Sequence, residues 1–306
     1  MTASGFSDVR STGTIGAALL WEESLKRTRE YDLLAIDLDG TLLNSSHHVP
    51  ARNRAALHAA HEAGLKIVVC TGRSFTETRP ILAEIGLDLD ATVTVGGALL
   101  TEAATGRTLE ATMIPLDIAR DATTWLLERD YAVMWLRDAY TAGFDGYIIN
   151  SVRLHPAIQR WFEMTPCDMR RAVDLPADGE TPLRITVVDD IAALDRISGE
   201  FERTFDGRLT HNIIRVPTYG FTVLEAFAAV VNKWSGILRL CERWGVDPRR
   251  TVAIGDDVND LPMIERAGLG VAVANAKPAV LGAATRRVAA NDDCGAAELI
   301  EQLLSE

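Results

Sequence analysis

The sequence predicts an α/β protein: a doubly wound, Rossmann-like parallel sheet core into which a second α/β domain is inserted. Three observations carry this. Short β-rich runs stop abruptly at polar or glycine-containing loops, helical periodicity follows each run, and a middle stretch of different character separates two such series. At 306 residues and 47% hydrophobic content, the chain also exceeds the size at which a single core stops growing.

Taken in order, the first thirty residues combine Ser, Thr and Gly with a short apolar run, Ile15 to Trp21, closed by Glu22 and Glu23. They lack the basic start and long apolar centre of a secretory signal. They read as an N-terminal extension, 1–30, with a short amphipathic helix from Ala17 to Arg29. Leu33 to Ile36 form a first strand that stops at Asp37. Pro50 opens an alanine-rich helix to about Ala63, stopped by Gly64, and Lys66 to Cys70 form a second strand that stops at Thr71. This is a βαβ unit. Pro80 sits early in the next helix, and Val93 and Val95 mark a third strand reaching Gly96 and Gly97.

From about Pro115 to Pro217 the pattern changes to short strands at Ala132–Leu136, Arg184–Val188 and Ile213–Val216, with helices at Ile118–Arg129, Ala157–Glu163 and Ile191–Phe205. Residues 115–217 are therefore assigned to an inserted cap domain, and 31–114 with 218–306 to the core. Phe221 to Phe227 falls on the core side of that boundary. Further on, Thr251 to Ile254 form a strand that stops at Gly255-Asp256.

A formal charge of -12 and a pI near 5.0 disfavour general binding to nucleic acid or anionic lipid, so an anionic substrate needs local cations. Cys70, Cys167, Cys241 and Cys294 form no CxxC pair and no zinc-like spacing with histidine. No run approaches the roughly 18–20 apolar residues of a membrane helix. A cytoplasmic protein is expected.

In an open parallel sheet the loops after the strands gather along one edge. Asp37, Asp39, Thr71 and Asp256 should therefore share one crevice. Three carboxylates together repel unless a cation shares them, and an oxygen-only cluster suits Mg²⁺. In the loop Asp37-Leu38-Asp39-Gly40-Thr41-Leu42, Asp37 can attack phosphorus while Asp39 protonates the leaving alcohol and later takes a proton from water. The transferred phosphoryl group needs donors and positive charge, which Thr71, the Gly72 amide and Lys233 can supply.

Four motifs occur in order: Asp37-Leu38-Asp39-Gly40-Thr41, Thr71-Gly72-Arg73, Asn232-Lys233 and Gly255-Asp256-Asp257-Val258-Asn259-Asp260. With them the chain, from about residue 32 onward, resembles the phosphatases of the haloacid dehalogenase superfamily. Within it the resemblance is to the Cof-type branch, subclass IIB, with its large α/β cap. The resemblance implies Asp37 as nucleophile, Asp39 as acid/base, Thr71 and Lys233 as phosphate ligands with Gly72 and Asn259 beside them, and Thr41 and Asp260 in support. Mg²⁺ would be held by Asp37, Asp256 and Asp39, the last through its backbone carbonyl. Two positions depart from the family pattern: Gly96 stands where asparagine is common, and Trp234 follows the motif lysine where glycine is usual.

Structural roles compete at several positions. Thr71 can be a helix N-cap, Asn259 and Asp260 can cap the helix near Leu261, Arg73 can be a surface residue, and His47-His48 reads as loop surface. Trp125, Trp135 and Trp161 read as cap core, with stacking on substrate the alternative. The expected reaction is hydrolysis of small phosphorylated metabolites, sugar phosphates first, through an aspartyl phosphate on Asp37. Phosphatases of pyridoxal phosphate or flavin mononucleotide and sugar phosphomutases are the enzymatic alternatives, and a phosphate-binding scaffold the non-enzymatic one.

Overall fold

The computed structural model describes residues 30–164, 167–176, 179–216 and 221–306; the expected Ala17–Arg29 helix lies outside them. The first series of strands comprises β1 (Leu33–Ile36), β2 (Lys66–Cys70), β3 (Thr92–Thr94), β4 (Leu99–Thr101) and β5 (Thr108–Ala111). Next come β6 (Val133–Leu136), β7 (Gly146–Ile149), β8 (Met169–Ala172), β9 (Arg184–Asp189), β10 (Leu209–Val216) and β11 (Phe221–Ala228). The chain finishes with β12 (Thr251–Gly255), β13 (Leu269–Val273) and β14 (Arg286–Val288).

The first sheet runs β14-β13-β12-β1-β2-β3-β4-β5. It is parallel from β14 to β3, and then β4 and β5 turn back antiparallel. Every residue of β1, β12 and β13 is buried, as expected of strands covered by helices on both faces. In register, Ile36 faces Ile254 on one side and Val69 on the other. The three strands thus end level, and the residues that follow them meet at one edge.

The second sheet runs β10-β11-β9-β6-β7-β8 and is antiparallel except between β7 and β8. Trp135, Ile185, Val187 and Leu224 join Leu126, Leu194, Phe201 and Phe205 of the helices Leu116–Leu127 and Ile191–Phe205 in one core cluster. Side chains alternate along a strand. Met134, Val188 and Val223 accordingly lie on the opposite face, packed with Ile158, Trp161 and Phe162 of the helix Ala157–Met164. By the same alternation, Arg184 and Glu225 share that second face.

The sequence placed Phe221 to Phe227 on the core side of position 217, whereas β11 pairs with β9 and β10, so the second sheet continues to Ala228. All eight residues of this strand are buried. Hydrogen bonds join the second sheet region to the first: Thr76 Oγ1 to Asp145 Oδ1 (2.6 Å), Trp161 Nε1 to Glu77 Oε1 (3.1 Å) and Arg184 Nη1 to the Gly72 carbonyl (2.8 Å). The four cysteines are unbridged. Among the described residues no helix is long and apolar enough to cross a membrane.

Candidate active site

Asp37 follows β1 directly, and its N–H donates to the Ile254 carbonyl of β12 (3.1 Å), adding one rung beyond the strand end. The chain then makes a wide turn closed by Leu42 N to Asp37 O (3.2 Å) and Leu43 N to Leu38 O (2.9 Å). Gly40 makes this turn possible. It sits at φ +75°, and a Cβ there would lie 2.4 Å from Asp256 Oδ2, so only glycine lets the two loops close on each other.

Lys233 opens the helix Lys233–Trp244, whose N-cap Asn232 forms a reciprocal capping box with Ser235. A Cβ on Gly97 would lie 2.0 Å from the Asn232 carbonyl, so the turn after β3 presses on this helix start and fixes where Lys233 emerges. Lys233 is 1% exposed, and its Nζ lies 2.5 Å from Asp37 Oδ1 and 2.6 Å from Asp260 Oδ1. Burial opposes its charge, yet the Asp260 and Asp37 carboxylates hold the ammonium above its ordinary pKa. Asp260 Oδ2 in turn accepts from the N–H groups of Asp256 and Asp257 (3.0 Å each), and Thr41 Oγ1 donates to Asp256 Oδ1 (3.0 Å).

Oxygens of Asp37, Asp256 and Asp260 converge to within 4.8 Å of one another. Burial first, then the Asp260 charge, push the Asp37 carboxyl well above its usual range and the Asp256 carboxyl to about 7. Buried carboxylates that raise one another's pKa are the environment a hard divalent cation relieves. Since Asp260 is already held by Lys233 and two amides, Asp37 and Asp256 are the side chains that fit such an ion.

Asp39 departs from the expected trio of carboxylates. Its side chain is turned outward and forked by Arg73, through Nε to Oδ2 (2.7 Å) and through Nη2 to Oδ1. Its place in the buried cluster is taken by Asp260, drawn inward by Lys233. Any metal role for Asp39 falls to its backbone carbonyl. Arg73 is thereby an acid-binding residue of the site rather than a surface residue, and its position next to Thr71-Gly72 was the available signal.

Thr71 is 1% exposed, and its Oγ1 accepts from Arg73 N (3.1 Å). It is not a helix cap: Ser74 caps the helix Phe75–Ile85. Asn259 has its Nδ2 4.0 Å from the place a Cβ would take on Gly72, while its Oδ1 is buried without a hydrogen-bond partner. The helix at Leu261–Arg266 receives no side-chain cap from Asp260, whose carboxylate is committed to Lys233 and the two amides. Gly96, at φ +63°, has the Phe227 ring 3.1 Å from the position of a Cβ, so a side chain there would press on β11. Trp234 is buried in the first sheet's core. Trp135 is core, Trp125 packs edge-on against Phe201 and Phe205, and His47 and His48 are on the exposed loop, with His47 Nδ1 4.0 Å from Asp39.

Residues 34–300 match the family model for haloacid dehalogenase-like hydrolases. The chain belongs to that family. A putative phosphatase of Bacillus subtilis is 30% identical over 278 residues, covering 90% of this chain and 98% of the relative. A 5-amino-6-(5-phospho-D-ribitylamino)uracil phosphatase of the same organism is 26% identical, covering 89% and 98%. The solved structure of a subclass IIB sugar phosphatase superposes with a TM-score of 0.73 at 21% identity, covering 89% of this chain and 98% of the other. The haloacid dehalogenase-like chain described here is thus a Cof-type protein with the subclass IIB fold, and a phosphoric monoester hydrolase.

Proposed function

We propose that this hydrolase is a Mg²⁺-dependent phosphatase of small phosphorylated metabolites, sugar phosphates foremost, working through an aspartyl phosphate on Asp37. The observation that carries the reading is Lys233 Nζ wedged between Asp37 and Asp260 beside Asp256, at the level ends of β1 and β12. Lys233 engages Oδ1 of Asp37, so Oδ2 is the oxygen placed to attack phosphorus. As that bond forms, the ester P–O bond breaks, and Asp39 delivers a proton to the departing alkoxide. Asp39 reaches it only after parting from Arg73. Water then attacks phosphorus, Asp39 takes its proton, and Asp37 is released with inorganic phosphate. Thr71, the Gly72 amide, Asn259 and Lys233 bind the equatorial oxygens. Mg²⁺ held by Asp37, Asp256 and the Asp39 carbonyl would offset the charge of phosphate and carboxylates.

The substrate class is supported by the relatives' names, one a phosphate ester of a ribityl chain and one a sugar phosphatase. The test is phosphate release from sugar phosphates, nucleotides, pyridoxal phosphate and flavin mononucleotide, with Mg²⁺ or EDTA. We expect release only with Mg²⁺, and a loss of at least about 1000-fold in Asp37→Asn with the fold retained. Substantial turnover by Asp37→Asn would exclude the covalent route through this residue.

A further inference from the structure

We propose that Arg184, in the second sheet, is a positioning residue for phosphoryl transfer that acts through the Gly72–Arg73 peptide on the Thr71 hydroxyl. The inference rests on the reading of Thr71 and Gly72 as phosphate ligands. Arg184 opens β9 and is 4% exposed. Its Nη1 donates to the Gly72 carbonyl at 2.8 Å and lies 2.7 Å from Glu225 Oε1 on the neighbouring β11.

A peptide unit is a rigid plate whose C=O and N–H point in opposite directions. Gripping the Gly72 carbonyl therefore fixes the Arg73 N–H, which donates to Thr71 Oγ1 at 3.1 Å. With that acceptor site filled, the Thr71 hydroxyl is constrained to send its own proton elsewhere, toward an incoming phosphate oxygen. The guanidinium charge on the carbonyl also polarises the plate and strengthens the donor at its far end.

Stability alone does not account for a buried Arg184. A buried ion pair is commonly no better than well-packed apolar groups of like volume. Burial pushes the Glu225 carboxyl above its usual range in spite of Arg184, and Arg184 Nε is buried without a partner. The pair is arranged around the Gly72 carbonyl and leaves the guanidinium incompletely satisfied. Since Arg184 belongs to the second sheet, the loop that binds phosphate is set only when that sheet is seated on the first.

The test replaces the pair by apolar groups, Arg184→Met with Glu225→Leu, which leaves no buried charge unpaired and keeps the protein folded. Hydrolysis of p-nitrophenyl phosphate and inhibition by inorganic phosphate are measured with Mg²⁺, beside Arg184→Lys, Thr71→Ala and the combination of all three replacements. We expect the apolar pair to lower kcat and kcat/KM together by about 10- to 100-fold and to weaken phosphate inhibition, at an unchanged unfolding temperature. Arg184→Lys, which retains a cationic donor, should recover most of the loss. Adding Thr71→Ala to the apolar pair should cost little beyond Thr71→Ala alone. Losses that multiply would overturn the proposal, because Arg184 would then act elsewhere. A defect in Thr71→Ala with none in the apolar pair would overturn it while leaving the phosphate ligands in place. No defect in Thr71→Ala would remove the ligand assignment and the proposal with it.

Discussion

Beside Lys233 the crevice gathers more carboxyl groups than one ammonium balances: oxygens of Asp37, Asp256 and Asp260 lie within 4.8 Å of one another. Asp256 shows the consequence most clearly, since burial and then Asp260 raise its carboxyl from 3.8 to about 7. In the metal-free protein a carboxyl raised in this way favours folding below about 3.8, and that advantage is lost as pH climbs through about 7. Asp256→Asn removes the repelled charge while keeping an acceptor for Thr41. In EDTA it should be more stable than the parent by about 2 kcal/mol at pH 8, with the difference shrinking toward pH 5. Its unfolding temperature should no longer respond to Mg²⁺, and its turnover should be lost. Urea unfolding at the two pH values checks this; a variant less stable than the parent at pH 8 would contradict the repulsive account. The meeting of Asp37 and Asp256 was legible because each follows a strand end, and that of Lys233 because Asn232-Lys233 falls in order among the motifs that carry the family resemblance. The swing of Asp39 toward Arg73 was not legible, because side-chain direction depends on which of several nearby charges lies within reach.

At the scale of elements, Glu77 serves two structures at once. Its Oε2 accepts from the N–H and hydroxyl of the N-cap Ser74 (2.9 Å each), completing a capping box, while its Oε1 accepts from Trp161 Nε1 (3.1 Å) across the junction between the sheets. Ser74→Ala and Glu77→Ala should each destabilise the protein by about 1 kcal/mol through the cap. Only Glu77→Ala also frees Trp161, so only that variant should speed amide exchange in the helix Ala157–Met164. Equal exchange in the two variants would show that the Trp161 contact does not restrain the helix. Elements here differed in how far sequence revealed them. β1, β2 and β12 are apolar runs cut off by polar loops, and they read plainly. β8 (Met-Arg-Arg-Ala) and β14 (Arg-Arg-Val) are partly exposed edge strands with no apolar pattern to mark them. β11 fell on the other side of the boundary drawn at 217, because its pairing with β9 and β10 is a long-range register that no local pattern in Phe221–Ala228 records.

Across the whole molecule, hydrogen bonds from Thr76, Thr108, Trp161 and Arg184 hold the second sheet region against the first. The cavity between Glu77 and the second sheet, lined by Met134, Leu136, Trp161, Phe162, Arg184 and Thr186, measures about 20 Å³, space for a single water, so the two regions are closely packed there. If the second sheet acts as a lid that excludes water from the reaction, substrate should enter while it is lifted and closure should follow binding. At a formal charge of -12 the surface repels an anionic substrate, and the carboxylate cluster inside does so too unless a divalent cation offsets it. Solution X-ray scattering reads the motion directly. A closed chain of this length has a radius of gyration of roughly 19 Å. The substrate-free protein should exceed that value and contract by about 1 Å when Mg²⁺ and orthovanadate, a mimic of the transferring phosphoryl group, are added together. Neither addition alone should bring the full contraction, because vanadate without Mg²⁺ meets an uncompensated carboxylate cluster, and Mg²⁺ alone gives the second sheet nothing to close upon. A radius that stays at the closed value under every condition would mean that substrate enters by a route other than separation of the two sheets.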